Sequence, residues 1–196
     1  MSVIQFWYEY GSPYSYIASA RIEKLAEAAG RKIDWRPFLL GPIFRAQGWN
    51  DTPAALFPAK GRHMWRDVER LCNHYGIPYK RPEIFPQNGV RAARATYVAI
   101  DEGWGPEMTH AVYDRVFVNE RDISDPAVLR DIIESLGRDA TAVLAKAESP
   151  EYRDRLRAAT EDAMARGIFG APSFIVGDEL FWGSDRLEQA VAWTTR

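Results

Sequence analysis

The chain has 196 residues, a formal net charge of -2, and 46% hydrophobic and 13% aromatic residues. These values describe an ordinary soluble protein with one substantial core, or a core carrying an inserted subdomain. Basic residues are dispersed, with Lys60-Gly61-Arg62-His63 the densest short cluster, which excludes a nucleic-acid-binding face. No uncharged apolar run is long enough for a membrane span, and Met1 to Val3 leads into a strand without a signal-peptide pattern, so a cytoplasmic protein is expected.

Val3 to Tyr8 is apolar except for Gln5 and rich in β-branched and aromatic residues, the pattern of a strand buried on both faces. Ile17, Ala20, Ile22, Leu25, Ala26 and Ala29 then recur at helical spacing until Gly30 stops them. Between the two lies Gly11-Ser12-Pro13: a glycine for a sharp turn, a serine suited to an N-cap, and a proline suited to the first helical position, where its missing N–H costs nothing. Orphan amides and the positive end of the helix dipole converge there, so a thiolate or other anion beside Ser12 is stabilised. Ser12 has two readings on this pattern, a helix cap or a hydroxyl facing a ligand, and a hydroxyl committed to capping is less free for the second.

Lys32 to Leu40 alternates well enough for a second strand, parallel to the first across the helix, a βαβ opening. Gly41 to Pro58 shows no sustained period and reads as a surface loop containing Trp49-Asn50-Asp51. From about Lys60 to Arg166 the pattern is mostly helical. Pieces are expected at Met64 to Tyr75, Val90 to Glu102, Pro106 to Val118, Pro126 to Leu136 and Pro150 to Arg166, with a second loop at Pro82 to Asn88. Ser173 to Val176 and Leu180 to Trp182 flank Gly177-Asp178-Glu179 as a hairpin, and Ser184 to Trp193 closes the chain as a helix. The order divides the chain into residues 1–59 with 167–196, carrying the sheet, and 60–166, an inserted all-helical subdomain.

Cys72 is the only cysteine, so an internal disulfide and a C-x-x-C pair are both ruled out. Its helical spacing with Val68, Leu71 and Tyr75 marks a buried structural thiol. His63, His74 and His110 lie in separate segments without metal-ligand spacing, and no metal is expected.

A βαβ unit and a ββα unit separated by a helical block resemble an α/β thioredoxin-like fold of the DsbA type. Gly11-Ser12-Pro13-Tyr14-Ser15-Tyr16 resembles that family's active-site turn, with serine where redox members carry the first cysteine. Phe169-Gly170-Ala171-Pro172-Ser173-Phe174 and Trp182-Gly183-Ser184-Asp185-Arg186-Leu187 are similar to the cis-proline loop and glutathione-binding helix start of 2-hydroxychromene-2-carboxylate isomerases and kappa-class glutathione transferases. Pro37 to Ile43 and Lys60-Gly61 match the general pattern, so the resemblance spans the chain.

An X-Pro bond is cis in only about 5–6% of folded cases; it is the resemblance that implies a cis Pro172. A chain bent there turns the Ala171 backbone outward, where an extended peptide such as glutathione can pair with it. The resemblance also implies that the Ser184 and Asp185 amides take the γ-glutamyl carboxylate, that the Asp185 carboxylate takes its ammonium, and that Asn50 reaches the ligand from the loop. Ser12 is then a thiol activator; no His–Asp pattern around it makes it an acyl nucleophile.

The implied reaction is glutathione-dependent cis–trans isomerisation between 2-hydroxychromene-2-carboxylate and trans-o-hydroxybenzylidenepyruvate by reversible thiolate addition. Tyr10, Tyr14, Trp49, Trp65, Phe85 and Trp182 are candidate walls for the aromatic substrate, and Lys60 or Arg62 for its carboxylate. The isomerases acting on naphthalene-derived substrate use a lysine early in the first loop, where Leu40 to Arg45 offers only Arg45. A kappa-type transferase is the alternative, a non-enzymatic glutathione-binding module a third reading, and the lone Cys72 argues against a disulfide oxidoreductase. A homodimer is expected from the resemblance.

Overall fold

A computed structural model describes residues 3–194. Strands β1 (Val3–Tyr8), β2 (Lys32–Pro37), β3 (Ser173–Val176) and β4 (Glu179–Trp182) form a sheet in the order β2-β1-β3-β4. β2 runs parallel to β1, β3 antiparallel to it, and β4 antiparallel to β3. This is the α/β, DsbA-like thioredoxin arrangement expected from the motif order, with the helical block entering between β2 and β3.

β1 is central, and its alternation explains why it is apolar on both faces. Ile4, Phe6 and Tyr8 point into the larger core, while Trp7 enters a smaller one with Phe38, Ile43, Ile168 and Ile175. Phe6 pairs across the sheet with Trp35 and Phe174 and stacks on the rings of Tyr8 and Phe174, at centroid separations of 4.8 and 5.5 Å.

Helix α1 (Pro13–Ala28) starts at the expected Ser-Pro pair and ends before Gly30, at φ +63°. The stretch Gly41 to Pro58, read as a loop, instead holds α2 (Leu40–Ala46) and α3 (Pro53–Leu56). Leu40 and Ile43 supply a buried stripe too short to show a period, and Pro42 sits in a first turn, where an N–H has no helical partner. Thr52 caps α3, its hydroxyl accepting the Ala55 N–H at 3.3 Å.

Helix α4 (Pro58–Tyr75) begins six residues earlier than expected because Pro58 opens it. Gly61 faces the Ala54 carbonyl of α3 so closely that a Cβ there would overlap it. Helices α5 (Val90–Asp101), α6 (Gly105–Phe117), α7 (Pro126–Ser135) and α9 (Pro150–Ala165) follow the expected pieces. Helix α8 (Ala140–Ala147) was not expected; Asp139 caps it, accepting the Ala142 N–H at 3.1 Å. β2 stops at Pro37 rather than Leu40. The closing segment is a 3-10 turn at Ser184–Arg186 followed by α10 (Leu187–Trp193).

The larger core runs without interruption from Ile4, Phe6 and Phe174 through Val68, Val112 and Leu129 to Leu156 and Leu187, so the helical block and the sheet share one interior. Among the described residues no helix is long and apolar enough to cross a membrane, and no group of three or more His, Cys, Asp or Glu could hold a metal.

Cys72 is 1% exposed in that core, and burial pushes its thiol up to about 11. It is therefore expected to resist a maleimide or disulfide reagent at pH 8 in the native protein and to react stoichiometrically once unfolded in urea. Fast labelling of the folded chain would overturn its assignment to the core.

Candidate active site

The turn after β1 places three consecutive residues in different settings. Ser12 is 7% exposed, and its Oγ makes two bonds: it accepts the Ser15 N–H at 3.1 Å, capping α1, and donates its proton to the Ala171 carbonyl at 2.9 Å. The capping reading of Ser12 thus holds, and the hydroxyl uses a lone pair for the cap and its proton for the loop before β3. The Ala171–Pro172 bond is cis, as the resemblance implied, and a second cis bond at Phe85–Pro86 had no sequence signal. The Gly183 N–H donates to the Pro172 carbonyl at 2.9 Å, tying that loop to the turn holding Ser184 and Asp185. Ser184 is buried, whereas Asp185 is exposed and paired only loosely with Arg186, at 3.4 Å. Two residues beyond Ser12, Tyr14 donates to Asp67 at 2.9 Å.

On the other side of Gly11 opens a cavity of about 750 Å³. Glu9 and Gly11 line it with Leu40, Arg45, Trp49 and Asn50, and with the 86–90 segment opposite. Its size suits a small aromatic ligand. Gly11 is the shared boundary between this cavity and the Ser12–Ala171 pair.

Sequence-selected residues divide accordingly. Ser12, Ala171, Pro172, Ser184 and Asp185 gather on one side, and Trp49 and Asn50 line the cavity on the other. Tyr10 does not reach it: the ring is 1% exposed and its hydroxyl bonds Thr96, because the chain turns inward at Tyr10 and the ring packs edge-on to Tyr8 and Tyr113. Lys60 projects from α4 over the Phe57 ring at 4.6 Å, outside the cavity lining, because α4 begins early and turns it to the surface. Phe85 packs against Trp65 at 4.6 Å, so the cavity receives its neighbour Pro86 instead. Trp182 is exposed against Phe169 and abuts Gly170, beside Ala171 and away from the cavity.

Residues 3–192 match the family model of the DSBA-like thioredoxin domain. The chain is 32% identical over 186 residues to 2-hydroxychromene-2-carboxylate isomerase of Sphingobium xenophagum, covering 94% of each. The chain belongs to this isomerase family. It is also 26% identical over 200 residues to human glutathione S-transferase kappa 1, covering 94% of this chain and 87% of the relative. A solved 2-hydroxychromene-2-carboxylate isomerase superposes with a TM-score of 0.89 at 26% identity, covering 99% of this chain and 95% of the other.

Within this isomerase-family chain, Arg45 is the cation that α2 contributes to the cavity. Glu9 escaped sequence reading altogether. Its only signal was an acidic residue wedged between Tyr8 and Tyr10 next to the Gly-Ser-Pro turn. Burial raises its carboxyl to about 7, opposed by the Leu40 N–H that donates to Oε1 at 3.1 Å.

A carboxyl raised on folding binds its proton more tightly in the native state. The stability it lends is complete below the ordinary value of 4.5 and is lost as pH climbs to about 7. The interval corresponds to at most about 3 kcal/mol, and partial access to solvent reduces it to roughly 1–3 kcal/mol. Glu9→Gln is therefore expected to be the more stable protein above pH 7 and close to parity at pH 4, as urea melts at the two pH values would show. Equal stability at both would mean that Glu9 does not titrate with folding.

Proposed function

We propose that the chain is a glutathione-dependent isomerase interconverting 2-hydroxychromene-2-carboxylate and trans-o-hydroxybenzylidenepyruvate. The observation that carries this reading is the Ser12 hydroxyl, fixed at the N-terminus of a 16-residue helix, 2.9 Å from the carbonyl preceding a cis proline, one residue from a 750 Å³ cavity. The donor set fits a peptide thiol: a hydroxyl for the sulfur, a main-chain segment for the peptide, and an exposed carboxylate on the adjoining turn for the ammonium.

Glutathione, when bound, supplies the sulfur nucleophile whose reversible addition frees the substrate double bond to rotate. Ser12 holds a proton at Oγ that can turn from the Ala171 carbonyl to the sulfur, and the dipole of α1 favours negative charge at the same point. Ala171, released from Ser12, regains a carbonyl that can accept an amide N–H. Asp185 and the Ser184 turn orient the γ-glutamyl end. Asn50 and Trp49 both line the cavity, which supports Asn50 reaching glutathione from the loop and Trp49 meeting the aromatic substrate, with Arg45 available to its carboxylate.

Turnover of 2-hydroxychromene-2-carboxylate, followed by absorbance with and without glutathione, tests the reading. Isomerisation that requires glutathione but does not consume it supports it; glutathione bound without turnover removes the named reaction. A kappa-like transferase is the second reading, favoured by arginine rather than lysine in the early loop, and a stable glutathione adduct with another electrophile would establish it.

A further inference from the structure

Glu9 is held more firmly than a cavity-lining carboxylate needs to be. Its main-chain carbonyl accepts from both the Ser12 N–H and the Tyr113 hydroxyl, each at 3.0 Å. Its Oε1 takes the Leu40 N–H at the start of α2, a helix whose own N-cap, Leu39, offers no side-chain acceptor. Oε2 is left on the Gly11 side, where a Cβ at Gly11 would stand 3.9 Å from it. Glu9 and Gly11 both line the cavity. The ionisable groups around it are Arg45 of α2 and Asp51 of the following loop across the cavity, Tyr113 of α6 beneath, and Tyr10 next in the chain. None of these charges moves the Glu9 carboxyl appreciably; burial and the Leu40 N–H decide its state.

We propose that Glu9 is a catalytic acid–base residue, giving a proton from Oε2 to the keto oxygen of an aryl α-keto acid bound in the cavity and taking it back. This rests on the isomerase reading. Nucleophilic addition at the far end of the conjugated double bond sends an electron pair to the keto oxygen. There an O–H bond forms as the Glu9 O–H bond breaks, leaving a carboxylate. When the carbonyl re-forms and the nucleophile departs, the proton returns to Glu9, so the residue ends as it began and nothing is consumed. A group that titrates at about 7 is suited to both directions of that transfer near neutral pH. The competing role is structural, a cap for α2 and nothing more.

Glu9→Gln separates the two, because the amide oxygen still accepts the Leu40 N–H while the titrating proton is gone. The proposal expects kcat to fall on the order of 10²-fold. It also expects the alkaline fall in kcat above about 7 to vanish in Glu9→Gln and persist in Glu9→Asp. A second readout needs no turnover: the wild type should bind phenylpyruvate more weakly as pH rises through about 7 and charge appears beside the ligand, while Glu9→Gln binding stays flat. Glutathione-dependent turnover with wild-type rate and pH profile in Glu9→Gln, or pH-independent phenylpyruvate binding by the wild type, overturns Glu9 alone. Absence of glutathione-dependent turnover in the wild type overturns the isomerase reading and this role of Glu9 together.

Discussion

Ser12→Ala is expected to lower glutathione-dependent kcat by about 10²–10³-fold, the range for removing one preorganised donor from a developing negative charge. The hydroxyl joins the N-terminus of α1 to the loop before β3, accepting the Ser15 N–H and donating to the Ala171 carbonyl. Its removal also uncaps α1, which costs about 1 kcal/mol, far too little to unfold the chain. The two effects can be told apart. Ser12→Gly restores most of the cap's worth without the hydroxyl, so it should match Ser12→Ala in rate while recovering stability. The thiolate absorbance of bound glutathione, titrated in the ultraviolet, should move to higher pH in both variants. An undiminished rate in Ser12→Ala would reduce Ser12 to a helix cap.

The largest loss of stability is expected from Phe6→Ala. Phe6 is fully buried at the middle of the central strand, between the rings of Trp35 and Phe174 and against Tyr8. All three neighbours are anchored, Trp35 and Phe174 by sheet pairing and Tyr8 by its hydroxyl on Thr109 at 2.7 Å, so the space cannot collapse. Truncation should cost about 3–5 kcal/mol, lowering Tm by roughly 2–4 °C per kcal/mol in a chain of this size. Because Phe6 belongs to the core that runs into α5 and α6, the urea transition should shift as a single step. A biphasic melt, with the helical block outlasting the sheet, would show that the shared interior does not couple them.

What the sequence revealed tracks how local each signal is. The Gly-Ser-Pro turn, the Ser-Pro and Asp-Pro helix starts and the Gly177 hairpin are set within a few residues, and each stands where the local chemistry put it. Helices α2, α3 and α8 are short: α2 buries two residues, α8 three and α3 none, too few to register as a period. The site divided in the same way. The Ser12–Ala171 bond joins residues 159 apart, yet each end carried a recognisable motif. Tyr10, Lys60 and Phe85 stand out in the sequence only as aromatic or basic residues, and composition cannot say which way a side chain turns. Glu9 shows the converse: its significance comes from burial and from Leu40, thirty-one positions away, neither of which a single carboxylate between two tyrosines discloses.

The boundary at Gly11 implies a division of labour with consequences for how such a protein can diversify. The Ser12 hydroxyl caps α1 and bonds the loop that leads into β3, next to a sheet whose geometry is fixed by strand pairing. The cavity opposite is walled by α2, the 48–52 loop and the 86–90 segment, which lie outside the sheet. Insertions or exchanges in the 48–52 loop and the 86–90 segment can reshape what is admitted while leaving Ser12, Glu9 and its Leu40 partner in place. On the isomerase reading, a library confined to those two segments explores new substrates without disturbing the groups assigned to the proton and sulfur steps.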